Sequence, residues 1–190
     1  GVYDPNTERF YYVSDYYNTS IKSFEDDTAV LVYYNNVSAG SPSTNSTYAY
    51  DSSGENFSGP RTAITELPTT SQWSNVNLKS TTRTILNENE SNTTTGGILP
   101  SNFSYAGYSA RLLTIQEVRK STNNTNVPTL QVGELDVCNY LMENTKYSNP
   151  TIENWGYWIE EVDSSNSTNA WAVYGSTRRV ANDIVLPKEN

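Results

Sequence analysis

A chain of 190 residues is long enough for one domain with a real core, or for two very small ones. Fifteen Tyr, four Trp and four Phe exclude a disordered composition, which is poor in rings, and favour half-exposed strands even though only 35% of residues are apolar. The net charge is −9, and in the first sixty positions Arg9 and Lys22 face eight carboxylates, so no basic cluster exists to neutralise phosphates and nucleic acid is excluded as a partner.

ERFYYVSDYY (8–17) and TAVLVYY (28–34) are aromatic and β-branched runs that read as two strands. Glu25, Asp26 and Asp27 between them read as a turn. STYAYD (46–51) alternates Tyr48 and Tyr50 with small or polar residues, the pattern of a half-buried strand. DSSGENFSGP (51–60) is a loop by composition. Pro60 suits the first turn of a short helix over 61–67, because its missing N–H is unused there. KSTTRTIL (79–86) reads as a strand, and NENESNTTTGGILPSN (87–102) as a polar surface loop.

In ARLLTIQEVRKST (110–122), Arg111 to Leu113 read as extended. Thr114 and Glu117 then fit a capping box, in which hydroxyl and carboxylate each satisfy an orphan backbone donor, ahead of a short helix with Ile115 and Val118 on one apolar face. A second helix is expected at 134–143, where Leu135, Cys138, Leu141 and Met142 share a face.

The stretch NWGYWIEEVDSSNSTNAWAVYGSTRRV resolves into a strand at 155–162, a polar turn at 163–169 and a strand at 170–175. Gly175 and Ser176 make a tight turn before a last strand at 178–185, giving a three-stranded antiparallel meander. Trp171 and Val173 share one face, and Ala172 and Tyr174 the other. The tryptophans read as core rather than as a sugar-binding platform, since each buried ring supplies about 150–250 Å². Trp155 and Trp158 lie three apart and cannot share a face of a regular strand, so one of the two is expected to be exposed.

No apolar run approaches the roughly 18 residues of a membrane span. The opening GVYDPNTERFYY is no signal peptide, and Gly1 is expected to begin either an expressed segment or a processed ectodomain, with any anchor outside this sequence. The single Cys138 cannot make an internal disulfide. Nine Asn-x-Ser/Thr sequons, at Asn18, Asn36, Asn45, Asn56, Asn89, Asn92, Asn102, Asn123 and Asn166, are glycosylation candidates. Chance alone gives about six, so the excess is small. The abundance of Asn, Ser and Thr points to an extracellular chain.

The phrase Ala110, Arg111, Leu112, Leu113, Thr114 and Glu117, followed by Tyr157, Trp158, Ala170, Trp171, Val173, Gly175 and Val180, resembles the C-terminal half of bacterial domains with a C-type-lectin-like fold. The version in the formylglycine-generating-enzyme superfamily and related bacterial surface proteins is the most similar, over roughly residues 105–185. The family's G-[VF]-R-P closing strand has no counterpart before LPKEN. The Tyr-rich N-terminal part resembles pilin-like and adhesin-like ectodomains more loosely.

With no histidine, neither a Ser-His-Asp or Cys-His arrangement nor the usual His/Cys zinc site can be built. TGGILP (95–100) lacks the lysine and the strand-to-helix setting of a phosphate loop. Formylglycine-generating enzymes use a cysteine pair, and Cys138 stands alone, so the resemblance does not carry that activity. Glu160, Glu161 and Asp163, with Asn182 and Asp183 on the last strand, form a set suited to glycosidase work or to calcium. C-type lectins hold calcium with a loop carboxylate and an Asn-Asp pair, so the resemblance implies calcium as the one cofactor to test. Their cis-proline motif is missing, with Pro150 and Pro187 elsewhere. The reading therefore favours solvated acids on a loop and strand edge. Arg178 and Arg179 could bind an anion, although strand alternation alone sends one of them to solvent. The ligand-binding candidates are Trp155, Trp158, Glu160, Glu161, Asp163, Asn182 and Asp183.

The expectation is thus an α+β fold of antiparallel sheets with two short helices. Residues 1–60 form a Tyr-rich β segment and 61–190 a C-type-lectin-like lobe, packed as one unit. The expected function is non-enzymatic: a bacterial adhesin or pilin-like (fimbrial) subunit at the cell surface. Its loops 35–60, 87–104 and 163–169 would bind a protein subunit or a host or surface glycan. The alternative is a structural subunit of a filament or virion with only protein–protein contacts.

Overall fold

The structure, a computed structural model, describes residues 10–33, 37–38, 41–42, 49–84, 102–121, 156–162, 166–174 and 180–184. These residues form mostly antiparallel strands in small sheets with two short helices, an arrangement that fits an α+β or a mainly β class. Strands β1 (Phe10–Asn18) and β2 (Ser23–Tyr33) make an antiparallel ribbon. β3 (Val37–Ser38) and β4 (Ser41–Pro42) are a minimal pair. Helix α1 (Arg61–Ile64) precedes the pair β5 (Thr82–Thr84) and β6 (Asn102–Ser104). Helix α2 (Ile115–Ser121) leads to the meander β7 (Gly156–Val162), β8 (Asn169–Tyr174) and β9 (Val180–Ile184), in that spatial order.

The meander is built as its sequence predicts. Trp158 pairs with Ala172, and Trp171 with Asn182. One face of this sheet sends Ile159, Trp171 and Val173 into the main core, where they meet Val13, Tyr16, Val30 and Val32 of the ribbon and Leu113, Ile115 and Val118 around α2. The opposite face places Val162 and Ala170 against buried Tyr50, with Phe103, Leu112 and Trp158 packed around them. Both faces of the meander are therefore covered. Ile64, Leu67 and Tyr105 centre a third cluster.

β2 starts five residues before the apolar run that announces it. Its first half, Ser23–Asp27, is polar except for Phe24, whose ring meets its cross-strand partner Tyr17 edge-on at 5.2 Å. The expected acidic turn lies inside the strand as a bulge: pairing jumps from Ser14↔Val30 to Tyr16↔Glu25. Asp27 takes a left-handed backbone (φ 58°), which a short polar side chain tolerates. Thr28 closes the bulge, its hydroxyl donating to the Glu25 carbonyl at 2.6 Å and accepting the Tyr16 N–H at 2.8 Å.

Three expectations are corrected. Ala49–Asp51 is not strand; the Tyr50 carbonyl instead accepts the N–H groups of Thr62 and Ala63, at 3.2 and 3.3 Å, at the start of α1. The alternation around Tyr50 marks one ring driven into the core. Helix α1 stops at Ile64 because tighter i→i−3 bonds from Thr65, Glu66 and Leu67 follow, and Pro68 cannot continue the ladder. The polar stretch 87–102 gives its last residue to β6, and the rest of it lies outside the described residues, as do the second helix at 134–143 and the Gly175–Ser176 turn. No helix among the described residues is long and apolar enough to cross a membrane.

Candidate functional site

Glu160 and Glu161 are 1% and 4% exposed, which overturns their reading as solvated acids. Two features put consecutive acids inside. The meander is covered on both faces, and β7 is irregular between Trp158 and Val162, whose partners Ala172 and Ala170 are only two residues apart. Burial of a carboxylate demands a counter-charge, and Arg83 of β5 supplies it: its Nε lies 3.0 and 3.3 Å from the two Glu160 oxygens. Tyr105 donates its hydroxyl to the same carboxylate at 3.4 Å, and Tyr50 donates to the Glu160 backbone carbonyl at 2.8 Å.

A second buried pair flanks the first. Arg111 grips Glu117 through two bonds, at 2.5 and 2.9 Å. Glu117 also completes the predicted capping box: it accepts the Thr114 N–H at 3.0 Å, and the Thr114 hydroxyl accepts the Glu117 N–H at 3.2 Å. The same carboxylate accepts the Tyr17 N–H at 3.3 Å, while Arg83 donates to the Tyr17 carbonyl and to the Tyr16 hydroxyl, the latter at 2.7 Å. The guanidinium carbons of Arg83 and Arg111 lie 5.2 and 5.6 Å from the centre of the Tyr16 ring. Side chains thus tie the backbone of β1 at Tyr17 into the core.

The electrostatics follow from burial. It pushes the Glu160 carboxyl up, against the pull of Arg83 and Arg111. Burial and then the Glu160 charge push Glu161 well above the usual carboxylate range. Burial likewise raises the phenols of Tyr50 and Tyr105. Burial works against the charge of Arg111, yet Glu117 leaves its pKa above the ordinary value. Glu160 and Glu117 are each enclosed with their own arginine partner. Among the described residues no group of three or more His, Cys, Asp or Glu side chains could hold a metal ion.

Of the other expected site residues, Trp158, Asn182 and Asp183 are among the described residues. Trp158 is half-buried with its ring edge-on to Tyr50 at 5.7 Å, and Trp171, read as core, is buried at 1% exposure. Asn182 and Asp183 lie on β9 opposite Trp171 and Ala170. Trp155, Asp163, Arg178 and Arg179 fall outside the described residues. Asn56 is corrected as a glycan site: it is fully buried, and its amide donates to the carbonyls of Asn166 and Asn169 at 2.9 and 2.7 Å. The Asn18 amide donates to Glu25 at 2.6 Å. Asn166 is exposed, and Asn102 opens β6. Asn36, Asn45, Asn89, Asn92 and Asn123 lie outside the described residues.

An apolar surface appears where the sequence suggested only strand pattern. Tyr11 and Val32, paired across the ribbon, turn toward the core, so the neighbouring pairs Phe10↔Tyr33 and Tyr12↔Leu31 share its outer face. Tyr12 and Leu31 are 52% and 55% exposed. At the same end Phe10 and Trp73, both half-buried, pack against buried Tyr33, with ring centroids 5.1–5.6 Å apart. The Tyr12 hydroxyl donates to Asp15 at 3.1 Å. This is the described surface best suited to holding a partner. Comparison with known proteins finds no matching family model, curated protein or solved structure.

Proposed function

We propose that this chain is an extracellular, non-enzymatic subunit of a bacterial surface or appendage, adhesin-like or pilin-like. In this reading it contacts its partner through the outer face of the β1–β2 ribbon. The observation that carries the reading is the exposed cross-strand pair Tyr12 and Leu31, next to the half-buried rings of Phe10 and Trp73. Exposed apolar side chains set side by side on a strand face gain free energy only when something covers them. The chemistry-bearing side chains that are described support a non-enzymatic role, because Glu160, Arg83, Glu117 and Arg111 are committed to one another inside.

The contact thereby moves from the loops to a strand face. The described parts of two of those loops are bound to each other: the Asn56 N–H donates to the Ser167 carbonyl at 2.8 Å. The lectin-like reading of the C-terminal lobe is kept as part of the proposal. It is supported by the capped helix leading to a three-stranded meander, and by the parallel bridge from Leu113 to Ile159 that joins them.

The test uses the purified chain and a Tyr12→Ser/Leu31→Ser variant, on a glycan array and in sedimentation velocity. A saturable glycan signal or concentration-dependent assembly in the wild type, lost in the variant at unchanged melting temperature, is the expected result. Assembly without glycan binding selects the structural-subunit reading, which aliphatic Leu31 favours. A variant that retains every contact of the wild type overturns the placement of the site.

A further inference from the structure

The interior network holds three carboxyl groups and two guanidinium groups. Arg83 is engaged by Glu160, and Arg111 by Glu117. Glu161 is the third acid, and among the described residues no cation pairs with it. One of its oxygens accepts the Ile115 N–H at 2.9 Å, at the first residue of α2. Among the described residues the cations of the neighbouring elements are already taken: Arg83 of β5 bonds Glu160, and Arg111, just before α2, bonds Glu117. Glu160 precedes it on β7, and Glu117 faces it from α2. The Tyr50 phenol, itself pushed up by burial and by both acids, approaches from the segment before α1. Tyr16 and Tyr17 on β1, and Tyr105 after β6, are engaged with Arg83, Glu117 and Glu160. Of β8, Asn169, Ala170, Trp171, Ala172 and Val173 do not titrate, and its one titratable residue, Tyr174, stands at the end of the strand paired with Gly156.

An ionised carboxylate enclosed without a counter-ion is far more costly than the neutral acid. We propose that the Glu161 side chain is a proton-held latch between β7 and α2: the neutral acid stays sealed beneath the helix start, and loss of its proton to solvent loosens that junction. The capping box fixes the backbone that the latch engages, since Thr114 immediately precedes Ile115.

The sign of the pH dependence follows. The folded chain binds this proton more tightly than the unfolded chain does. The stabilisation is therefore complete below the ordinary Glu value of 4.5 and is lost as pH rises through the raised folded value. Glu160 shifts the same way, so the contribution of Glu161 is isolated by comparison with Glu161→Gln. That variant keeps an acceptor for the Ile115 N–H and removes the titration.

The experiment compares urea midpoints of wild type and Glu161→Gln from about pH 4 to about pH 9. Within the window, the unfolding constant of the wild type should climb relative to the variant by up to about tenfold per pH unit. Parallel profiles overturn the proposal. A second readout needs no variant: the Ile115 amide resonance of the wild type should keep its acid-form position past the ordinary carboxyl range. An Ile115 amide that titrates within that range overturns the proposal even if Glu161→Gln fails to fold.

Discussion

Arg83 Nε sits 3.0 Å from Glu160 Oε1 with both side chains sealed from solvent. Because the same guanidinium donates to the Tyr16 hydroxyl and the Tyr17 carbonyl, one side chain of β5 joins β7 to β1. Removing one partner of such a pair strands the other charge in a low-dielectric interior, whereas removing both does not. Arg83→Met should cost about 3–5 kcal/mol, and Arg83→Met with Glu160→Gln much less than the sum of the two single changes. A double-mutant cycle in urea checks this. Additive single costs would show that the pair is not the unit holding these strands.

The capping box allows a graded comparison. Thr114→Ala removes one side-chain acceptor at the helix start and should cost about 1 kcal/mol. Glu117→Gln keeps the shape but leaves Arg111 without its counter-charge, and it weakens the bond to the Tyr17 N–H, so about 3–5 kcal/mol is expected. Thermal denaturation ranks the two variants, and hydrogen exchange at Tyr17 should quicken only in Glu117→Gln. Equal costs would reduce Glu117 to a helix cap.

Local patterns were legible in the chain. The Thr114–Glu117 spacing, the alternation around Trp171 and the aromatic run of β1 each act over a few residues, and each appears as read. What the sequence hid depends on distance. Glu160 and Glu161 look like surface acids until Arg83, 77 residues away, and the covered far face of the meander are placed beside them. Asn56 looks like a sequon until carbonyls 110 and 113 residues away take its amide. Periodicity assigns a residue to a face but leaves open whether a second layer covers it. That is why Tyr12 and Leu31 gave no sign of exposure while Tyr16 and Val30 lie in the core.

Trp171 separates ring volume from ring polarity. Its side chain fills the main core, and its indole N–H has no hydrogen-bond partner among the described residues. Trp171→Ala should cost about 3–5 kcal/mol through the cavity it leaves. Trp171→Phe keeps most of the contact and removes a buried donor that gains nothing, so its cost should fall well below that of the alanine change. Urea denaturation of both variants gives the comparison. A phenylalanine variant as unstable as the alanine one would mean that the N–H is engaged after all.

The Asn56 clamp makes a prediction whose sign changes with pH. Its amide N–H groups meet two carbonyl oxygens, Asn166 O and Asn169 O; the first also accepts the Asn169 N–H at 3.2 Å. Asn56→Ala should cost about 1–3 kcal/mol and open 166–169 to proteolysis. Asn56→Asp at neutral pH replaces the donor by a buried anion facing those same oxygens, and should be worse than alanine. Acid reverses the order, because a protonated carboxyl can donate one hydrogen bond, and the deficit of Asn56→Asp should shrink as pH falls below its raised folded pKa. Protease sensitivity and urea midpoints of both variants at acid and neutral pH decide it. An aspartate variant that behaves like alanine at every pH would place the clamp in the Asn56–Ser167 backbone bond rather than in the side chain.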